Sequence, residues 1–425
     1  MTTTSSECDD VIRSGQYLIV QKIDGEQSRI VRFTPKQKIL IEKLKFTADS
    51  AFGKRLGLFE VSNGTCVPMS VDRHLEEMQT QEAAVMLDEP LEEPDSRLVI
   101  APSALKLEPE QKRQKLEMET VLEMKKQGVS GQEMVARLVE GSASFQTRTV
   151  FSQSKYIKRK AKKHSDRVLI LRPTIRLLAK AYYLKDPDRL AMLRADQLAL
   201  MLQMAGVHHG KNVVVFEQTL GLVTSAVVQR IGGAGGCVHI HRGAVAQSIP
   251  CVHSMNYDES TLSTLLPVRI KCILAGCQLP HENHRRPATE SGNEAEEEVE
   301  REKADDADAA ARRNDRLDRE RRGIEMIEQR NVHSLIIASR TVDPISVLEL
   351  LYMKLAPSAT IVIYSPHQNM LVSAYDWLSR KQAINVSLTE QMCRVMQVLP
   401  DRTHPLMAQH VAGGHLLTAI KVVDQ

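Results

Sequence analysis

The chain has 425 residues, 42% hydrophobic and 26% charged, with a net charge of only +3. That balance supports two to three domains with buried cores and excludes full-length disorder, a collagen-like rod and a disulfide scaffold. Near-neutrality confines any nucleic-acid affinity to local patches, and an aromatic content of 4% disfavours reading single strands by base stacking.

Residues 11–70 carry short apolar runs over Gln16–Lys22, Arg29–Phe33, Lys38–Lys43 and Leu58–Val61. Asp24-Gly25, Thr34-Pro35 and Asn63-Gly64 separate them as turns, which predicts a small, β-rich, barrel-like N-terminal domain. Residues 71–117, polar and rich in Glu and Pro, read as a variable linker. Residues 118–165 form a helical and basic connecting segment. Helices are predicted over Met118–Gln127 and Gly131–Glu140, the second with a Ser130…Glu133 capping box and a stripe of Met134, Val135, Leu138 and Val139. Lys155, Lys158, Arg159, Lys160, Lys162 and Lys163 follow. On a helix, all of these except Lys160 share one face.

From residue 166 to 425 the pattern is α/β. Predicted strands are Val168–Leu171, Asn212–Phe216, Cys237–His241, Ser334–Ala338 and Ala359–Tyr364. They alternate with helices over Asp188–Ala205, Leu222–Ile231, Pro344–Lys354 and around Ala374–Arg380. Continuous apolar strands between helices argue for a buried parallel sheet. Two long strands, Ile384–Leu399 and Gly414–Val423, close it as an antiparallel pair. A charged insertion at 281–323 interrupts it, with eight carboxylates over Glu294–Asp306 and an arginine-dense run over Arg312–Arg322. The order predicts a class I methyltransferase-like Rossmann domain.

The cofactor pocket of such a domain is degenerate here. A glycine-rich turn should follow the Asn212–Phe216 strand, but Glu217-Gln218-Thr219-Leu220-Gly221 keeps one glycine. An acid should end the next strand to hold ribose hydroxyls, but His239-Ile240-His241-Arg242 stands there. Ile337-Ala338-Ser339-Arg340 delivers no acid to the pocket, and Asp343 comes only three residues later. Gly232-Gly-Ala-Gly-Gly236 follows the helix and reads as a helix cap and tight turn. Glu217 and Asp343 alone support the alternative, an active S-adenosylmethionine-dependent RNA methyltransferase with an atypical pocket.

The basic stripe suits contact with a phosphate backbone, a nuclear localisation signal, or both. Arg312–Arg322 is interleaved with acids, so helical salt bridges compete with RNA contact. His208, His209, His239 and His241 lack the partners of a metal set, and no metal is expected. The turn Leu399-Pro-Asp-Arg-Thr-His-Pro405 is either a stiff loop or a presentation of Arg402 and His404 to phosphate or a partner. Seven scattered cysteines suit a reducing compartment, and no apolar run reaches the ~18 residues of a membrane span.

Taken together, Ser154-Lys-Tyr-Ile-Lys-Arg-Lys-Ala-Lys-Lys-His164, Leu171-Arg-Pro-Thr174, Arg230-Ile-Gly-Gly233, Ile337-Ala-Ser-Arg340, Gln397-Val-Leu-Pro-Asp-Arg-Thr-His-Pro405 and Gly413-Gly-His-Leu-Leu417 resemble the non-catalytic, RNA-binding subunits of eukaryotic tRNA (adenine-N1)-methyltransferases. The resemblance implies no catalytic residue and no cofactor on this chain. It also implies a paralogous catalytic partner that binds S-adenosylmethionine, two copies of each subunit, tRNA as ligand and a nuclear location. RNA contacts are then expected from Lys155, Lys158, Arg159, Lys160, Lys162, Lys163, Arg340 and Arg402.

Overall fold

The computed structural model describes residues 10–422 except 24–26, 43, 77–115, 117, 128, 130, 143, 148, 165, 244–246, 277–295, 399–402 and 408. Most of the expected linker, Ser130 of the expected capping box, the start of the charged insertion and Arg402 therefore lie outside the described residues. The chain forms two compact units, residues 1–173 and 174–425.

The first unit holds β1 (Tyr17–Lys22), β2 (Ser28–Arg32), β3 (Lys38–Ile41), β4 (Leu44–Thr47), β5 (Gly57–Ser62), β6 (Thr65–Pro68) and β7 (Arg167–Leu171). Five of these pair antiparallel in the order β2-β1-β7-β5-β6, while β3 and β4 form a separate hairpin. Leu18, Val20, Phe33, Ile39, Ile41, Phe46, Phe59, Val168 and Ile170 share one core, so the inner face of the hairpin packs with the sheet. Asn63 and Gly64 both adopt positive φ between β5 and β6, the conformation a two-residue hairpin turn requires.

β7 corrects the sequence reading. The Val168–Leu171 run was expected to open the α/β domain, but it lies between β1 and β5 and buries Val168 and Ile170 in the N-terminal core. A short apolar run shows that a strand forms and not which strand it pairs with. The boundary between units accordingly falls after Pro173 rather than at 165/166. The helices Met118–Lys126, Gly131–Glu140 and Val150–His164 lie before β7. Val121, Met124, Met134 and Leu138 pack together between the first two. The amide of Gly131 donates to the Asp166 carboxylate at 2.8 Å, which caps the second helix from outside its own sequence.

The second unit is built on β8 (Asn212–Glu217), β9 (Gly236–His241), β10 (Leu265–Arg269), β11 (Ser334–Ala338), β12 (Thr360–Ser365), β13 (Ile384–Met392), β14 (Met396–Gln397), β15 (His404–Pro405) and β16 (Ala412–Ile420). Seven of them form one sheet in the order β10-β9-β8-β11-β12-β16-β13. β10, β9, β8, β11 and β12 run parallel, and β16 enters antiparallel between β12 and β13. β8, β9 and β11 are buried along their whole length, which is why they read as unbroken apolar runs.

Two expectations change here. The predicted helix Asp188–Ala205 is a 3-10 turn, Pro187–Leu190, and a separate helix, Ala195–Met204. Ala191 and Met192, both at positive φ, break it. The C-terminal strands end at Met392 and begin at Ala412, and the intervening chain forms the short β14–β15 pair. β16 is interior, so β13 alone is the outer edge on that side.

The charged insertion is helical from Glu296 to Glu328, and its last turns belong to the core. Ile324 and Ile327 are buried beside Leu266 and Val268, and Gly323 lets the helix approach closely: a Cβ there would stand 2.6 Å from Val268 Cγ2. Arg269 grips the buried Glu320 with two side-chain hydrogen bonds of 2.8 and 2.7 Å, and its own amide donates to the same carboxylate at 3.0 Å. Burial would raise the Glu320 carboxyl, but the hydrogen bonds and charge of Arg269 outweigh it and hold the group below the ordinary carboxylate range. Its stabilisation is thus present above the unfolded pKa and is lost as pH falls through the lowered folded value. Glu320→Ala, which removes the buried carboxylate that Arg269 grips, should cost about 3 kcal/mol at neutral pH. Thermal denaturation of the variant and the parent should converge as pH drops into the acid range; an unchanged melting temperature at pH 7 would contradict the assignment.

Candidate functional site

The site expected for a methyltransferase of this fold lies where β8, β9 and β11 end. Glu217, the last residue of β8, does not face outward. Its carboxylate turns onto the start of the Leu222–Ile231 helix, accepting from the amides of Val223 at 3.2 Å and Thr224 at 2.7 Å. The hydroxyls of Thr219 and Thr224 donate to it as well. An acid at a helix N-terminus satisfies amides that have no partner within the helix and complements the dipole. Here it is only 4% exposed, so it supports the turn from inside.

Because Thr224 has one hydroxyl proton, its Oγ1 accepts from His239 Nδ1, 2.8 Å away. Burial lowers the pKa of His239, with Glu217 opposing, which favours the neutral ring. The histidine that stands near the expected ribose acid therefore extends an internal network. Arg242, just beyond β9, lies 5.7 Å over the Phe216 ring.

The turn after β8 is closed from above. Leu220 and Gly221 both have positive φ, and a Cβ on Gly221 would lie 2.6 Å from Ile249 Cβ. The glycine that should let a ligand approach the backbone is instead covered by the chain's own Ile249, 7% exposed, and the Cys251 amide bonds Leu220 O at 3.2 Å. Gln218 is drawn sideways to the end of β11. Its Oε1 accepts from Ser339 Oγ and from the amides of Arg340 and Thr341, each at 3.1 Å. Asp343 caps the Pro344–Leu351 helix, accepting from the Ile345 amide at 3.1 Å. Both carboxylates that supported an active pocket are thus helix caps. Gly232 caps its helix at positive φ and Gly235 sits against Lys211 O, as expected of a turn.

The basic segment is helical over Val150–His164, so Lys155, Lys158, Arg159, Lys162 and Lys163 occupy the predicted registers. Lys155 and Arg159 are exposed, whereas Tyr156 is buried against Phe145. Lys160 lies at the inner edge, half-buried, with its ammonium 5.4 Å from the Tyr156 ring. Burial and then the neighbouring Arg159 lower its pKa. Arg340 belongs to the other unit and pairs with Asp188 at 3.2 Å. The Arg312–Arg322 run follows the salt-bridge reading in part: Arg319 pairs with Asp315 and Arg321 with Asp318, at 2.7 and 2.8 Å. Among the described residues no group of three or more His, Cys, Asp or Glu is arranged to hold a metal ion. None of their helices is long and apolar enough to cross a membrane.

A parallel sheet of this strand order, closed by an antiparallel β16 inserted next to an edge strand, defines the class I methyltransferase fold. The structure superposes on an S-adenosylmethionine-dependent O-methyltransferase from Thermotoga maritima with a TM-score of 0.51 at 9% identity, over 99% of this chain and 98% of that one; this likeness concerns the fold alone. The chain belongs to the Gcd10p family, which matches residues 11–310. It is 29% identical to the tRNA (adenine(58)-N(1))-methyltransferase non-catalytic subunit of Mus musculus, over 98% of this chain and 89% of the relative. It is also 29% identical to the non-catalytic subunit of the same name from Dictyostelium discoideum, over 97% and 80%.

Ile249 and the capping role of Glu217 were not legible beforehand. The sequence offered only an acid after a strand and an isoleucine before a proline. Glu217→Ala should strip the partner from two buried amides and two hydroxyls and cost about 2–3 kcal/mol. Chemical denaturation reads this directly; full stability with altered catalysis would mean that the residue has a catalytic role.

Proposed function

We propose that the chain is the non-catalytic, tRNA-binding subunit of a tRNA (adenine-N1)-methyltransferase. S-adenosylmethionine is bound by a paralogous catalytic subunit, two copies of each subunit assemble, and the complex works in the nucleus. The observation that carries this reading is the turn after β8, where Ile249 occupies the approach to Gly221 and Glu217 is engaged as a cap. The names of the relatives support its non-catalytic part. The chain keeps a methyltransferase sheet and uses it as a platform.

Two surfaces support the partner roles. β13 is a sheet edge whose last residue, Met392, is exposed, and the chain beyond it exposes Val395, Met396, Val398 and Met407, the last 94% exposed. Apolar side chains beside an unpaired strand suit docking to the catalytic paralogue. The Val150–His164 helix supplies cations for the tRNA backbone, and the same segment serves as the nuclear signal. Arg340 contributes less, since Asp188 already engages it.

Titration of the isolated chain with S-adenosylmethionine should give no saturable binding, and the assembled complex should bind it through the other subunit; micromolar affinity in the isolated chain would overturn the assignment. Replacing Lys155, Lys158, Arg159, Lys162 and Lys163 by Ala should weaken all tRNAs alike, because phosphate contacts carry no base information. The salt slope should flatten by about 0.7–0.9 per lost contact. Methylation at limiting tRNA should fall and recover at high tRNA; an unchanged slope would leave only the localisation role.

A further inference from the structure

Residues 10–68 contain ten Lys and Arg against six Asp and Glu, a net +4 in a chain whose total is +3. Part of that charge is engaged, since Lys22 pairs with Glu42 at 3.5 Å. The β3–β4 hairpin is different. Ile39, Ile41 and Phe46 point into the core, so the alternation puts Lys38, Leu40 and Lys45 on the outer face. Leu40 and Lys45 are directly opposite across the strands, and Lys38 stands two residues from Leu40 on the same face. Arg29, from the edge strand β2, reaches the same place and donates its guanidinium to Leu40 O. All three cations are exposed, and among the described residues no carboxylate pairs with Arg29, Lys38 or Lys45.

We infer that the outer face of the β3–β4 hairpin, with Arg29, Lys38 and Lys45, is a second phosphate-backbone contact for the tRNA, separate from the Val150–His164 helix. The inference rests on the tRNA-binding reading above. Three like charges around a half-exposed leucine repel one another unless a polyanion is present, and a folded RNA supplies successive phosphates. The hairpin gives the cations a fixed geometry, since its inner face is locked in the core. Its two lysines come from adjacent strands, so a flexible anion has to span the pair rather than follow one strand. Such a contact positions the RNA without reading its sequence.

The test uses the full complex and an unmodified tRNA transcript, with affinity measured across a salt series. Lys38→Ala/Lys45→Ala should lower affinity most at low salt. The ratio to the parent should shrink by about 7–12-fold between 50 and 200 mM salt, the consequence of losing two contacts of slope 0.7–0.9 each. Lys38→Arg/Lys45→Arg should restore the parental slope, and thermal stability should be unchanged in both. Affinity and slope equal to the parent in the Ala variant, with the helix variant impaired, would overturn the hairpin contact and leave tRNA binding intact. No dependence on either surface, together with no contribution of this chain to tRNA affinity, would overturn the functional reading itself. An affinity loss that does not vary with salt would also overturn it here, because the residues would then act through structure.

Discussion

The second unit depends on one carboxylate. Glu217 closes the end of β8 by satisfying the first amides of the following helix, and through Thr224 it fixes the ring of His239 on β9. In a cofactor-binding relative of this fold the same corner must stay open, because a ligand has to meet backbone there. Here it is packed: Thr219 and Thr224 are fully buried, and Ile249 covers the glycine. The Glu217 carboxylate meets the hydroxyls of Thr219 and Thr224 inside the core, where buried polar groups need partners.

Charge is distributed on the same logic. The long Glu296–Glu328 helix is dense in both signs and neutralises part of its own arginine run, and one of its carboxylates anchors it to the sheet through Arg269. Arg340 is likewise engaged. The Val150–His164 helix carries no acidic residue, and the outer face of the β3–β4 hairpin presents Lys38 and Lys45 without a carboxylate partner among the described residues. On the proposed reading a nearly neutral chain approaches a polyanion with two basic surfaces, both in the first unit, and the second unit serves as an assembly platform. The β13 edge and the exposed methionines and valines near it are the surface proposed for that second role.

The sequence determined a good deal by itself. Continuous apolar runs gave β8, β9, β11 and β12 nearly to the residue, since strands buried on both faces have no polar alternation to hide them. The Asn63-Gly64 turn and the basic helix followed from local chemistry. The departures from a cofactor-binding pattern were also readable, because glycines and an acid at fixed places are local requirements that residues either meet or fail. Only tertiary structure decided the rest. β7 joined the first unit because strand pairing depends on contacts far away in sequence, and β10 was missed because Pro267 interrupts its run. Whether Glu217 is a base or a cap depends on where a helix N-terminus lies, and whether Gly221 is open depends on Ile249, 28 residues on. Which lysines stand unpaired is a matter of three-dimensional neighbours, which composition and spacing do not specify.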